Sequence, residues 1–222
     1  MNSKITFADI KNSDEVRTYI KQADISLKAR GYTEHSFAHV TKCAEVAGNL
    51  LKDLGYNEHE VELARIAGYM HDIGNVVNRS DHAQSGALMA FRILDKMGMS
   101  PKDTAVVITA IGNHDEPTAF PVNAVAAALI IADKTDVRRS RVRNKETINT
   151  DIHDRVNYAV VEANVRLDIE EKTITLFLKI DTEISTVTDY FEIFLYRMLL
   201  SRKAAEYLGL KFKLNINNNP LL

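Results

Sequence analysis

The apolar run Ala126-Ala127-Ala128-Leu129-Ile130-Ile131-Ala132 delivers the chain directly to a carboxylate, Asp133. A helix that is apolar all round belongs inside a fold, and a carboxylate buried there without a partner costs several kcal/mol. Asp133 must therefore meet cationic partners or a bound cation. The same conflict recurs upstream, where Ala64-Arg65-Ile66-Ala67-Gly68-Tyr69-Met70 ends on His71-Asp72. One inorganic centre would satisfy both places at once.

The punctuation around these runs is helical. Gly31 and Gly55 follow helix-forming stretches and can take the left-handed cap that closes them. Asn57 with Glu60 reads as a capping box, and Ser100-Pro101-Lys102-Asp103 sets a cap, a first-turn proline and an acidic first turn in order. Ser80 is expected to cap the helix that begins near His82. Val40, Cys43, Ala44, Ala47, Leu50, Leu51 and Leu54 fall on one helical face. Leu27 to Arg143 is thus expected to form a bundle of antiparallel helices.

Beyond about Asn149 the period changes. Ala163–Ile169 and Thr173–Ile180 alternate as strands joined at Glu170-Glu171-Lys172. An amphipathic segment from about Ser185 to Leu208 follows, closed by Gly209, and Lys211–Ile216 alternates again. The expected fold is mainly α, a helical body over 1–148 with a small α+β (β-β-α-β) appendage over 149–222. Asn217-Asn218-Asn219 is expected to fray.

Composition narrows the chemistry. With 222 residues, 45% hydrophobic and 26% charged, the chain can bury a sizeable core, which argues against disorder. Its formal charge of −2 leaves any phosphate-binding role to a local basic patch. The single cysteine, Cys43, cannot form an internal disulfide or a thiolate zinc site, so a metal site must use histidine and carboxylate. Cys43 itself reads as core packing. No run reaches the roughly 18 apolar residues of a membrane span, and Met1–Ile10 lacks the pattern of a leader. A cytoplasmic, unprocessed chain is expected.

Five of the seven histidines lie in the helical body, namely His35, His39, His71, His82 and His114. His59 sits in a capping segment and reads as structural. His39, then Ala67-Gly68-Tyr69-Met70-His71-Asp72-Ile73-Gly74, then Ala132-Asp133, resembles the H…HD…D signature of the HD-domain metal-dependent phosphohydrolases over roughly residues 30–140. The resemblance implies that His39, His71, Asp72 and Asp133 ligate one metal on a helical bundle. His82 and His114 resemble the extra histidines of binuclear members, including the group similar to diadenosine tetraphosphate hydrolases, with Asp72 bridging. Imidazole and carboxylate suit iron, manganese, cobalt, nickel or zinc; the resemblance favours one or two ions of iron or manganese, with magnesium also admitted.

His35-Ser36-Phe37-Ala38-His39 is similar to the H-N-x-x-H element of cyclic-nucleotide phosphodiesterases, with Ser36 in place of asparagine. It implies His35, or its neighbour Glu34, as proton donor, and His35 and His39 are expected to share a helix face at i,i+4. Lys134 and Arg138 are expected on one helix face near Asp133 and, with Arg79, to bind substrate. Arg141, Arg143 and Lys145 read as a solvated helix end. Asn75 stands where the family often has a basic residue, and Asn113 and Asp115 are expected to orient groups around the metal.

No G-x-S-x-G, P-loop or G-x-G-x-x-G occurs. The expected activity is metal-dependent hydrolysis, by a metal-activated hydroxide, of a small phosphate ester or anhydride, a nucleotide being favoured, with Asp72 and His35 as catalytic groups. The competing class is a non-catalytic metal-binding sensor or scaffold. An RNA-binding module on Lys134–Lys145 is disfavoured, because the stripe is short and lacks interleaved aromatics. The tail could cover the pocket, bind a regulator or form a homodimer interface.

Overall fold

Side-chain caps set most of the helix starts in the computed structural model, which describes residues 5–116, 118–144 and 146–221. The first four residues of Met1–Ile10, and Lys145, lie outside these. Thr6 and Asp9 form a capping box at α1 (Phe7–Asn12), and Ser13 opens α2 (Asp14–Ala29). Ser36 caps α3 (Phe37–Asp53) and Asn57 caps α4 (Glu58–Met70). Ser100 caps α6 (Pro101–Gly112) and Asn123 caps α7 (Ala124–Lys134). The helix α5 (His82–Met97) differs from expectation: Asp81, not Ser80, precedes it, at φ 57° and without a side-chain cap bond. That left-handed residue turns the chain sharply out of the single 3-10 turn Ile73–Val76 and its following loop.

Small residues decide how closely the helices approach. A Cβ on Gly68 would lie 2.7 Å from the Ala44 Cα, so α3 and α4 meet almost backbone to backbone. Gly74 is tighter still, since its Cβ would fall 2.0 Å from the His82 carbonyl oxygen. Helix α7 is buried along nearly its whole length. Its Leu129, Ile130 and Ile131 are fully enclosed, each worth about 1.5–3 kcal/mol over exposure.

The tail begins with a helix that its local pattern had not revealed, α8 (Ile152–Ala159), started by Asp151. It runs straight into β1 (Val160–Asp168), followed by β2 (Thr173–Ile180), α9 (Val187–Tyr207), β3 (Lys211–Ile216) and the two-residue β4 (Asn219–Pro220). The sheet order is β1-β2-β3-β4, with β1 antiparallel to β2 and β2 parallel to β3 through the α9 crossover. The expected β-β-α-β order is present, extended at both ends.

The asparagine-rich end is not frayed. Asn217 and Asn218 take φ of 51° and 65°, a conformation asparagine tolerates better than most residues. The Asn217 side chain donates to Ile180 O at 2.9 Å and accepts from Ile180 N at 2.8 Å, tying the turn to β2. Helix α9 lies on α7, and the buried cluster is continuous from the helical body into the sheet through Phe194, Leu176 and Leu214. Among the described residues, no helix is long and apolar enough to cross a membrane.

Candidate metal centre

Four buried histidines reach the centre from four different places in the chain. His39 lies in the first turn of α3, His71 at the end of α4, His82 at the start of α5, and His114 just past α6. Each has its Nδ1 held. His39 Nδ1 stands 2.8 Å from Asp136 Oδ2, His71 Nδ1 2.8 Å from Gly68 O, His82 Nδ1 3.0 Å from Arg79 O, and His114 Nδ1 2.6 Å from Ile111 O. Because a carbonyl or carboxylate can only accept, each Nδ1 carries a hydrogen, which turns each Nε2 inward.

Two carboxylates meet those nitrogens. Asp72 Oδ2 is 3.3 Å from His71 Nε2 and 3.6 Å from His39 Nε2, and Asp133 Oδ1 is 3.3 Å from His39 Nε2 and 3.7 Å from His71 Nε2. The other Asp72 oxygen faces elsewhere: Oδ1 is 3.4 Å from His82 Nε2, which in turn is 3.2 Å from His114 Nε2. One aspartate therefore faces two neighbouring groups of histidines; the ligand atoms close enough to share one ion are those of His39, Cys43, His71 and Asp133 and, beside them, those of His71, Asp72 and His114. Donors about one ion with bonds of about 2.0–2.2 Å sit roughly 3–3.5 Å apart, close to the spacing found.

The fit is tested by what the protein leaves unsatisfied. His71 Nε2 and Asp72 Oδ2 are buried with no hydrogen-bond partner, and native folds seldom leave such atoms orphaned. A cation between them would supply what is missing. Burial opposes charge on both aspartates, but His71 beside Asp72 and Lys134 beside Asp133 outweigh it and hold both carboxyls well below their ordinary range. Burial and the neighbouring His71 push His114 well below the usual imidazole value, and burial also lowers His82. Cys43 Sγ lies 3.7 Å from the His39 ring nitrogens, but burial and the nearby Asp133 raise it far above a normal thiol. It packs as a protonated thiol.

Residues 36–140 match the model of the HD domain. This segment is an HD domain. HD domains form a superfamily of metal-dependent phosphohydrolases, and the clustered histidines and aspartates here can hold a metal. The chain is 26% identical over 162 residues to an uncharacterised protein, MJ1020, of Methanocaldococcus jannaschii, covering 63% of this chain and 62% of that protein. It is 32% identical over 137 residues to a protein named ribonuclease Y from Rubrobacter xylanophilus, covering 55% of this chain and 25% of that protein. A ribonuclease Y from Oceanobacillus iheyensis is 34% identical over 100 residues, 44% of this chain and 18% of its own length. The chain thus spans under two thirds of the archaeal relative and a quarter or less of the two ribonucleases.

Around the HD domain's centre, several expected residues stand differently from their sequence pattern. Lys134 is buried, its Nζ 2.6 Å from Asp133 Oδ2 and 3.3 Å from Glu116 Oε2. Helix α7 stops at Lys134, so Arg138 does not share its face; extended backbone carries Arg138 to Asp136 at 2.9 Å and to Glu34 at 3.7 Å. His35 precedes the cap of α3 and so shares no helix face with His39, yet their rings approach with centroids 5.5 Å apart. Its Nδ1 faces Thr33 O at 2.7 Å, and burial, aided by Arg141, lowers its pKa well below normal. Glu34 instead accepts from Ser36 N at 2.9 Å.

Arg79 borders the second donor set, its Nη1 3.2 Å from His82 Nε2 and its Nη2 3.9 Å from Asp115. Asp115 is also 3.7 Å from His82 Nδ1, whereas Asn113 turns back to Thr109 O at 2.9 Å. Arg141 is not solvated but buried, donating to Glu34 O and Asp136 O at 2.9 and 2.8 Å. Arg143 pairs with Asp24. His59 bridges to Asp103 at 2.7 Å, a structural tie between the starts of α4 and α6.

Residues missed in the sequence do much of the positioning. Asn75 donates to Asp72 Oδ1 at 2.8 Å, fixing the oxygen that faces the second set. Asp136, three residues after Asp133 and just past the end of α7, holds His39. Glu116 and Arg197 had no signal in the sequence, because they become neighbours of Lys134 only on folding.

Proposed function

We propose that the chain is a metal-dependent phosphohydrolase acting on a small phosphate ester or anhydride, most simply a nucleotide. The observation that carries this reading is the split of Asp72, with one oxygen toward His39 and His71 and the other toward His82. His39, His71, Asp72 and Asp133 would hold one ion, and Asp72, His82 and His114 a second, with iron or manganese favoured. Such ions polarise a phosphoryl group and ionise water near neutral pH, so hydrolysis needs no serine or cysteine nucleophile.

The chain's own side chains do the rest. Neutral His35 donates at Nδ1 to Thr33 O, which leaves Nε2 free; a phosphate anion arriving beside it would raise its pKa, so that Nε2 takes a proton from solvent and passes that proton to the leaving oxygen. Arg79 would meet a phosphate oxygen beside His82. Lys134, paired with Asp133, would act by neutralising it. Asp136 and Asn75 orient His39 and Asp72.

Two other readings make different predictions. A scaffold or sensor would bind metal without turnover. The relatives named ribonuclease Y raise cleavage of RNA, but only a minor part of their length is matched. The test is metal analysis of protein purified without chelator, then turnover of p-nitrophenyl phosphate, bis(p-nitrophenyl) phosphate and a short RNA with added manganese. Joint loss of metal and activity in Asp72→Ala is expected; full activity in that variant overturns the proposal.

A further inference from the structure

A cavity of about 270 Å³ opens beside the metal centre, and two separate parts of the chain build it. Tyr32, His35 and Arg79 line one side; Asn157 of α8 with Phe194 and Arg197 of α9 line the other. The inner rim belongs to both donor sets, since the His35 ring approaches His39 and Arg79 reaches His82. The outer wall lies beyond residues 36–140, in the part of the chain the HD match does not cover.

The wall's charges suit a compact anion. Arg79, Arg141 and Arg197 line the cavity against Asp151 and Asp154. Both aspartates are engaged locally, Asp151 capping α8 and Asp154 accepting from Thr147, and Arg141 is spent on backbone carbonyls. Arg79 and Arg197 remain partly exposed, with side chains 24% and 27% accessible. Arg197 lines the cavity, pairs with Glu116 through Nε at 2.7 Å from Oε1, and is braced over the Phe194 ring at 4.7 Å. Glu116 continues to Lys134 and Lys134 to Asp133, so an unbroken chain of ion pairs links the tail to a candidate metal ligand. Tyr32, half exposed at the same mouth, has the Arg30 guanidinium 5.6 Å and the Arg79 guanidinium 6.0 Å from its ring centre, a setting an aromatic ring can share.

We propose that the tail completes the substrate pocket, with Arg197 and Arg79 gripping the anionic end of a compact phosphate ester whose planar ring lies on Tyr32. This rests on the phosphohydrolase reading above and narrows its substrate to a molecule the size of one nucleotide. The volume sits just below the usual range of ligand cavities, which run from about 300 Å³, so it suits one nucleotide, and the rest of a polynucleotide would have to lie outside it.

The experiment is calorimetric binding of non-hydrolysable methylenephosphonate analogues of the ribonucleoside monophosphates to the full, manganese-loaded chain. One analogue bound per chain is expected, with Tyr32→Ala and Arg197→Ala each weakening it at least about tenfold at retained metal content and melting temperature. Arg197→Lys recovers only part, because an ammonium lacks the guanidinium fork. Tyr32 is a surface residue, so that variant reports even if Arg197→Ala misfolds. Unchanged affinity in Tyr32→Ala, or no binding by any analogue, overturns the pocket, and if p-nitrophenyl phosphate is still hydrolysed the phosphohydrolase reading survives. Binding lost in both variants, with no ester turned over by the wild type, upholds the pocket and overturns the hydrolase. An oligonucleotide that displaces the analogue with equal affinity overturns the size limit.

Discussion

Asp136 Oδ2 lies 2.8 Å from His39 Nδ1 while Asp136 Oδ1 takes the Lys42 ammonium, also at 2.8 Å. The carboxylate is fully enclosed, and burial alone would raise its pKa. Its hydrogen bond with His39 and the charge of Arg141 keep it strongly acidic, so it remains an anion aimed at the imidazole. A partner of this kind fixes the ring and strengthens the opposite nitrogen as a donor.

Asp136→Asn should therefore preserve packing but loosen His39. Metal affinity is expected to fall about 10–100-fold, read by competition with a chromogenic chelator. Unaltered affinity would show that His39 is held by packing alone.

Gly74 has no room for a side chain, because its Cβ would meet His82 O at 2.0 Å and Gly86 N at 2.5 Å. Gly74→Ala should cost about 1–3 kcal/mol by overpacking and displace His82, lowering the metal content per chain. Gly55→Ala is the contrast: at φ 82° with open space around it, it carries only the backbone cost of about 1–2 kcal/mol and keeps full metal content. Denaturation curves and elemental analysis on the two variants separate these effects.

Lys134 neutralises two partly buried carboxylates, Asp133 and Glu116. Their pull outweighs burial and raises its pKa, so it stays charged. Lys134→Ala leaves both anions short of a cation and should destabilise the metal-free chain by about 3–5 kcal/mol. Adding Glu116→Gln should restore part of the loss. Urea unfolding in chelator gives both numbers, and a loss below about 1 kcal/mol would show that water screens the cluster.

Glu15 ties α2 to α5 through Lys96 at 2.9 Å and Arg92 at 2.7 Å. The Lys96 hydrogen bond, then that of Arg92, lowers its pKa. A depressed carboxyl stabilises above its unfolded pKa, near 4.3, and that stability fades as pH falls through the lower folded value. Both cations are exposed, so Glu15→Gln should cost less than about 1 kcal/mol at pH 7. Wild type and variant should converge in acid and in about 1 M salt; a gap that persists there would mean that the pair does not act through charge.

Half of the candidate ligand set was legible because it broke a local rule, while His39, His82 and His114 were read from the family resemblance. His71, Asp72 and Asp133 end apolar runs, and a polar group there demands a partner that sequence alone can announce. The groups that orient them were not legible in the same way. Asp136 gives no sign of its partner, Asn75 stands out only as replacing a basic residue, and nothing near Arg138 signals that α7 ends at Lys134.

What the sequence by itself determined was local: where helices start, which segments alternate as strands, and which polar groups must be neutralised. Caps and periodicity act over a few neighbouring residues, so the chain states them outright. The tertiary structure decided what each charge meets. Lys134 turned inward because Glu116 and Arg197, 18 residues before it and 63 after it by position, close around it. Burial and Coulomb energy depend on distance in space, which sequence separation does not measure.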